Sequence, residues 1–344
     1  MKHFATTSGY YDNNTIIEKM SLIESGHRLL PIGLCTLLQC IATGCVYDYS
    51  TCEEPEPTGT TVSVSFDFPS SLPAPEGMAT LFYPMTGDSD YSRYDFRPSG
   101  GTVEINPGSY LTAVFNNDTE SILFRGFSSL SSLEAYTRQG NVTDGLDRLY
   151  SGAMPPLGRV ADLPVVIQPD MLMCEAPAAA IDIQPDTNTR IRFKPQQVVA
   201  TYTITVNDIS NLSSMRQGCL SLSGLCGNYL IGLSRKGDTV VTIPGSLKRD
   251  TNSSMTGKML TFGYAPASAS CLLRVYLWLR DGEKKVYEFD VTNQILNATD
   301  PLNVPITVGG ITLPEIDDDY PDSPDGSLGV NVDNWETIDI ELST

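Results

Sequence analysis

The chain has 344 residues, a formal net charge of −19 and only two histidines, His3 and His27. From Cys45 onward there is none, so no Ser-His-Asp triad, Cys-His pair or histidine-rich zinc site can form there. The acidity opposes binding to nucleic acid or an anionic membrane. No Gly-x-Gly-x-x-Gly and no phosphate loop occurs, so the expectation is a non-enzyme with no cofactor, no catalytic residues and no metal site.

Residues 1–44 read as a signal peptide. An apolar run follows His27 and Arg28 and ends in Ala42-Thr43-Gly44, directly before Cys45. This resembles a bacterial lipobox, with Ala42 where leucine is commoner, and it predicts that Cys45 is lipidated and becomes the first residue. The alternative is a transmembrane anchor, but the run carries Pro31 and Gln39 and is short of the roughly 20 residues of a span. Residues 1–19 fit no signal peptide, so Met20 is expected to be the start and 1–19 a mis-called extension. Residues 45–59 read as a lipidated, flexible tether, with Asp48, Glu53, Glu54, Glu56, Pro55 and Pro57 keeping it extended.

Strands follow. Val62, Val64, Phe66 and Phe68 alternate with polar residues, the period of a half-buried strand. Met78–Tyr83 is a second apolar run. Val103 and Ile105 alternate before Asn106-Pro107-Gly108 turns the chain into Tyr110–Phe115, and 122–124 is apolar again. A short helix is expected after Phe127, with Ser131 and Glu134 as a capping box. Residues 137–162 read as a long loop; its sequon Asn141-Val142-Thr143 is expected to be silent in a bacterial lipoprotein.

A second strand series starts near Ile191, with Val198, Ala200, Tyr202, Ile204 and Val206 on one parity. Leu272–Leu279 and Val286–Val291 flank Arg280-Asp281-Gly282-Glu283 as a hairpin, with Tyr276, Trp278, Tyr287 and Phe289 as expected cross-strand aromatic pairs. Between 316 and 326, Asp317, Asp318, Asp319, Asp322 and Asp325 either gather a calcium ion or form a solvated loop, and the spacing misses the EF-hand pattern. Val330, Val332, Ile338, Ile340 and Leu342 share one parity in a last strand, expected to close its own sheet rather than be donated. The fold class is all-β, as β-sandwich with few short helices. The domains are 60–190 and 191–344, with the boundary near Pro185–Pro195.

Beyond Cys45 the cysteines are Cys52, Cys174, Cys219, Cys226 and Cys271, an odd number. Cys219 and Cys226 form either a disulfide or two buried thiols.

Cys45 with Val46-Tyr47-Asp48-Tyr49, the strand 62–68, Gly77–Pro84, Glu104–Tyr110, Val114–Asn116, Ile122–Gly126 and Gly309–Pro314 occur in an order that resembles the Bacteroidales fimbrillin-like lipoproteins. That family contains the anchor and minor subunits of fimbriae. The resemblance implies two stacked transthyretin-like β-sandwich domains, lipid-anchored through Cys45 in the outer membrane at the cell surface, with fimbrial subunits as partners. Polymerising subunits of that class are typically cut by an Arg-specific protease near the start of the first domain. Here no Lys or Arg lies between Cys45 and Arg93, so the first strand stays, as in an anchor. The expected chemistry is strand pairing. The alternative is a surface glycan-binding lipoprotein in which Tyr91, Tyr94 and Phe96 stack on sugars instead of packing in the core; a carboxylate hydrolase is a third reading.

Overall fold

The computed structural model describes residues 59–86, 90–145, 156–316 and 335–340. Cys45, the leader, most of the tether, the acidic run 317–325 and Leu342 lie outside the described residues.

The first half builds β1 (Thr60–Phe66), β2 (Met78–Pro84), β3 (Ser92–Phe96), β4 (Gly101–Ile105), β5 (Gly108–Asn116), β6 (Ile122–Arg125), β7 (Glu134–Thr137), β8 (Met173–Glu175), β9 (Ile181–Ile183), β10 (Thr189–Phe193) and β11 (Gln196–Gln197). A three-stranded sheet, β10-β1-β4, faces a larger one ordered β11-β8-β5-β2-β3, with β9 also on β5. Between them lie Val62, Val64, Ile191 and Phe193 from the first sheet and Met78, Phe82, Tyr110 and Val114 from the second. The run 78–83 is apolar throughout because β2 is covered on both faces. Met78 and Phe82 enter this core, whereas Ala79, Leu81 and Tyr83 enter a second cluster behind the sheet.

The second half builds β12 (Ala200–Asn207), β13 (Met215–Cys226), β14 (Asn228–Leu230), β15 (Arg235–Lys236), β16 (Val240–Ser246), β17 (Lys248–Arg249), β18 (Met255–Thr261), β19 (Leu272–Leu279), β20 (Lys284–Asp290), a short α1 (Thr292–Leu296), β21 (Asn303–Gly309) and β22 (Glu336–Asp339). Sheets β17-β18-β12-β21 and β16-β13-β19-β20-β22 enclose the largest core, from Tyr202, Ile204 and Ile306 on one side to Leu222, Val275 and Phe289 on the other. A further sheet, β15-β14-β7-β6, takes two strands from each half and lies over the cluster behind β2. The protein is therefore all-β, as its alternation implies.

Four local expectations are corrected. The helix expected after Phe127 is a single 3-10 turn, Leu130–Ser132, without a side-chain cap. Glu134 instead opens β7 opposite Arg125, because strand pairing and burial of Leu133 and Ala135 outweigh a local cap. The aromatic residues of the 272–290 hairpin do not pair with one another. Tyr276 faces Val286 and Tyr287 faces Val275, since the four-residue turn sets the two strands in opposite parity for these side chains. The second series does not begin at Ile191: β10 lies across the expected boundary and pairs in parallel with β1, and β12 begins at Ala200. The described parts of 137–162 are more than a loop. They carry 3-10 turns at Val142–Gly145 and Gly158–Val160, and 156–166 covers the outer face of the five-stranded sheet.

Candidate functional site

Strand pairing needs either an open edge or a groove that a strand can fill. Two edges of the second sandwich are closed from within the chain. On β21, Pro305 has no N–H to offer, and the Gln294 side chain donates to the Thr307 carbonyl and accepts the Thr307 N–H, both at 2.8 Å. On β16, Val166 N–H donates to the Thr242 carbonyl at 3.0 Å, and Thr242 N–H donates to the Pro164 carbonyl at 2.9 Å.

The C-terminal β22 lies parallel to β20, with Ile340 N–H donating to the Glu288 carbonyl at 3.1 Å. Ile338 and Ile340 pack on the core, and Trp335 meets Tyr276 edge-to-face at 5.7 Å. This last strand closes its own sheet.

The edges of the first sandwich are different. Among the described residues no strand pairs with the outer side of β3 or of β10. Both carry charge: Arg93 and Asp95 are exposed and paired at 3.0 Å on β3, and Arg190 and Arg192 alternate with buried Ile191 and Phe193 on β10. Such charges discourage indiscriminate pairing without removing backbone donors and acceptors. Behind these edges β1 is the middle strand, bonded antiparallel to β4 and parallel to β10. Phe66 at its end stacks on Phe68 and Phe193 and meets Phe96 edge-to-face, with ring centroids about 6 Å apart. Loss of β1 would open a hydrophobic groove between β4 and β10.

Tyr91, Tyr94 and Phe96 form no joint platform. Tyr91 stacks between Tyr83 and Phe127, with ring centroids at 5.6 and 5.7 Å. Tyr94 and Phe96 pack on the other core, and Tyr94 OH donates to the Glu104 carbonyl at 3.0 Å.

Cys174, Cys219, Cys226 and Cys271 are free and buried. Cys219 faces the covered outer side of its sheet, while Cys226 joins the cluster shared by the two halves. Burial pushes the thiols of Cys174, Cys219 and Cys271 up to about 12, and Cys226 upward as well, so none is a thiolate nucleophile near neutral pH.

A buried ion pair, which carries no local sequence signal, joins the two strands of the hairpin. Arg274 on β19 and Glu288 on β20 stand opposite each other, their side chains 2% and 4% exposed. Beside them Tyr276 shares a hydrogen bond with Ser221 at 3.0 Å and donates to the Pro156 carbonyl at 3.1 Å.

A family model described as Domain of unknown function (DUF5119) matches residues 49–245. The chain is 29% identical over 297 residues to the candidate fimbrium anchoring subunit Fim4B of Bacteroides ovatus, covering 78% of this chain and 85% of that protein. A crystal structure of a candidate adhesin from Bacteroides ovatus has a similar fold, with a TM-score of 0.58 at 22% identity over 75% of this chain and 94% of the other. The fimbrial anchor protein Mfa2 from Porphyromonas gingivalis gives a TM-score of 0.47 at 13% identity, over 72% and 90% of the two chains.

Proposed function

The chain belongs to the family described as Domain of unknown function (DUF5119), and we propose that it is a non-enzymatic, cell-surface lipoprotein that anchors a fimbria or serves as one of its minor subunits. The observation that carries this reading is the likeness to Fim4B along 78% of the chain. Lipid on Cys45 holds the protein in the outer membrane, and the acidic, proline-containing segment 45–59 lifts the two sandwiches, read as two domains, off it. The partner is another fimbrial subunit, held by strand pairing through backbone hydrogen bonds and alternating side-chain pockets.

Two features favour an anchor over a stalk subunit. With no Lys or Arg between Cys45 and Arg93, an Arg-specific cut cannot remove β1 without falling inside or beyond β3. The β22 strand is engaged in its own sheet rather than held out for donation.

Replacing Cys45 with Ala tests the anchoring. The expected result is loss of labelling by a fatty-acid analogue and a shift of the protein from the membrane fraction to the medium. Membrane retention of an unlabelled Cys45→Ala protein rejects lipid anchoring.

A further inference from the structure

The outer edge of β3 carries a charge pattern that is complementary to itself. Asn117 N–H donates to the Gly77 carbonyl at 3.2 Å and Met85 N–H donates to the Ser109 carbonyl at 2.9 Å, at the two ends of the β2–β5 ladder. The odd-numbered residues of β2 therefore bond to β5. The even-numbered ones bond to β3, where they stand opposite Ser92, Tyr94 and Phe96. Arg93 and Asp95 are left with N–H and C=O turned outward, and among the described residues no backbone group meets them. Their side chains are exposed on one face of the strand, where Asp95 also accepts from Asn117 Nδ2 at 2.8 Å. On the other face Tyr94 and Phe96 hold β3 to its core.

A second β3 laid antiparallel along this edge can meet it in registers that differ in charge. Centred on Arg93, the pairing sets Arg93 opposite Arg93. Centred on Asp95, it sets Asp95 opposite Asp95 and Arg93 opposite Arg97. Like charges directly opposite are destabilising. Centred on Tyr94, it sets Arg93 of each copy opposite Asp95 of the other. These are the residues whose backbone groups point outward, so each facing pair exchanges both of its N–H···O bonds. The Arg93–Asp95 contact within each chain then becomes one side of a square of alternating charge. The β10 edge behaves in the opposite way. Arg190, Arg192 and Lys194 share its exposed face, so an antiparallel self-pairing that keeps those faces together sets cation against cation.

We propose that β3 pairs antiparallel with β3 of a second copy of this chain, centred on Tyr94, so that the larger sheet of the first sandwich runs on from one molecule into the next. The contact is a short edge, so the association is weak and reversible, with a Kd on the order of 100 µM. Two copies held in one membrane plane meet at a higher effective concentration. Sedimentation equilibrium of the purified full chain tests the pairing. The parent is expected to form dimers that weaken with added salt. Arg93→Asp sets carboxylates opposite carboxylates and Asp95→Arg sets guanidiniums opposite guanidiniums, and each variant alone is expected to dimerise about tenfold or more weakly. An equimolar mixture of the two variants is expected to dimerise again, because every facing pair is then of opposite sign. The exchanged chain Arg93→Asp/Asp95→Arg is expected to dimerise as the parent does, and so is Arg190→Asp on the β10 edge. A parent that stays monomeric up to about 1 mM overturns the proposal. So do single variants that dimerise like the parent, and so does a mixture that fails to recover, because loss of the contact within each chain cannot be repaired by mixing. A parent that gains mass only when a fimbrial subunit is added gives this edge to the subunit and also overturns it. None of these outcomes depends on lipid at Cys45, so failure here leaves the anchor reading standing, and failure of the Cys45 test leaves this one standing.

Discussion

Replacing Glu288 with Ala is expected to destabilise the protein by about 3–5 kcal/mol, because it leaves the Arg274 guanidinium charged in a site only 2% exposed. Arg274 already has one nitrogen, Nη1, without a hydrogen-bond partner among the described residues. Gly158 lies against its guanidinium, so the side chain has little room to swing toward water. The thermal midpoint should fall by on the order of 10 °C. The paired replacement Arg274→Met/Glu288→Leu should recover most of that loss, since a buried ion pair is often no better than apolar side chains of similar volume. A Glu288→Ala midpoint within about 1 °C of the parent would mean that the 156–166 segment does not cover this face in solution.

Truncation after Asn334 is the second large effect. It removes Trp335, Ile338 and Ile340, all partly buried, and strips β20 of its parallel neighbour. Full burial of such side chains contributes roughly 1.5–3 kcal/mol each. Half-burial of three, with the lost backbone bonds, gives a loss of about 3 kcal/mol. Scanning calorimetry should show a lowered transition, and the bared edge of β20 should promote association. An unchanged transition would mean that this strand is available to a neighbouring molecule.

Much of the fold was legible because it obeys a period of two. β1 and β12 alternate cleanly, and the Asp281-Gly282 turn marks the β19–β20 hairpin, with Gly282 at a φ of 93°. The short strands β8, β9 and β11, two or three residues each, carry no period to detect. β21 alternates Val304, Ile306 and Val308, but Pro305 argues against a strand unless the edge position is already known. The helix after Phe127 failed for the reverse reason, a sound local signal overruled by pairing between distant segments.

The functional features were less visible. Arg274 interrupts an apolar run as a solvent-facing residue would, and only the fold reveals that 156–166 lies over it. The absence of Lys and Arg from Cys45 to Arg93 was the reverse case, plain in sequence and given meaning by β1's central place.

The anchor reading is tested most directly on cells that assemble fimbriae with this chain as their only lipidated subunit. The quantity to measure is the fraction of fimbriae in the medium when the chain carries Cys45→Ala. The account predicts that assembled fimbriae leave the cell surface together with the unlipidated protein. Fimbriae that stay on the cells at parental density while the Cys45→Ala protein is lost to the medium would contradict it.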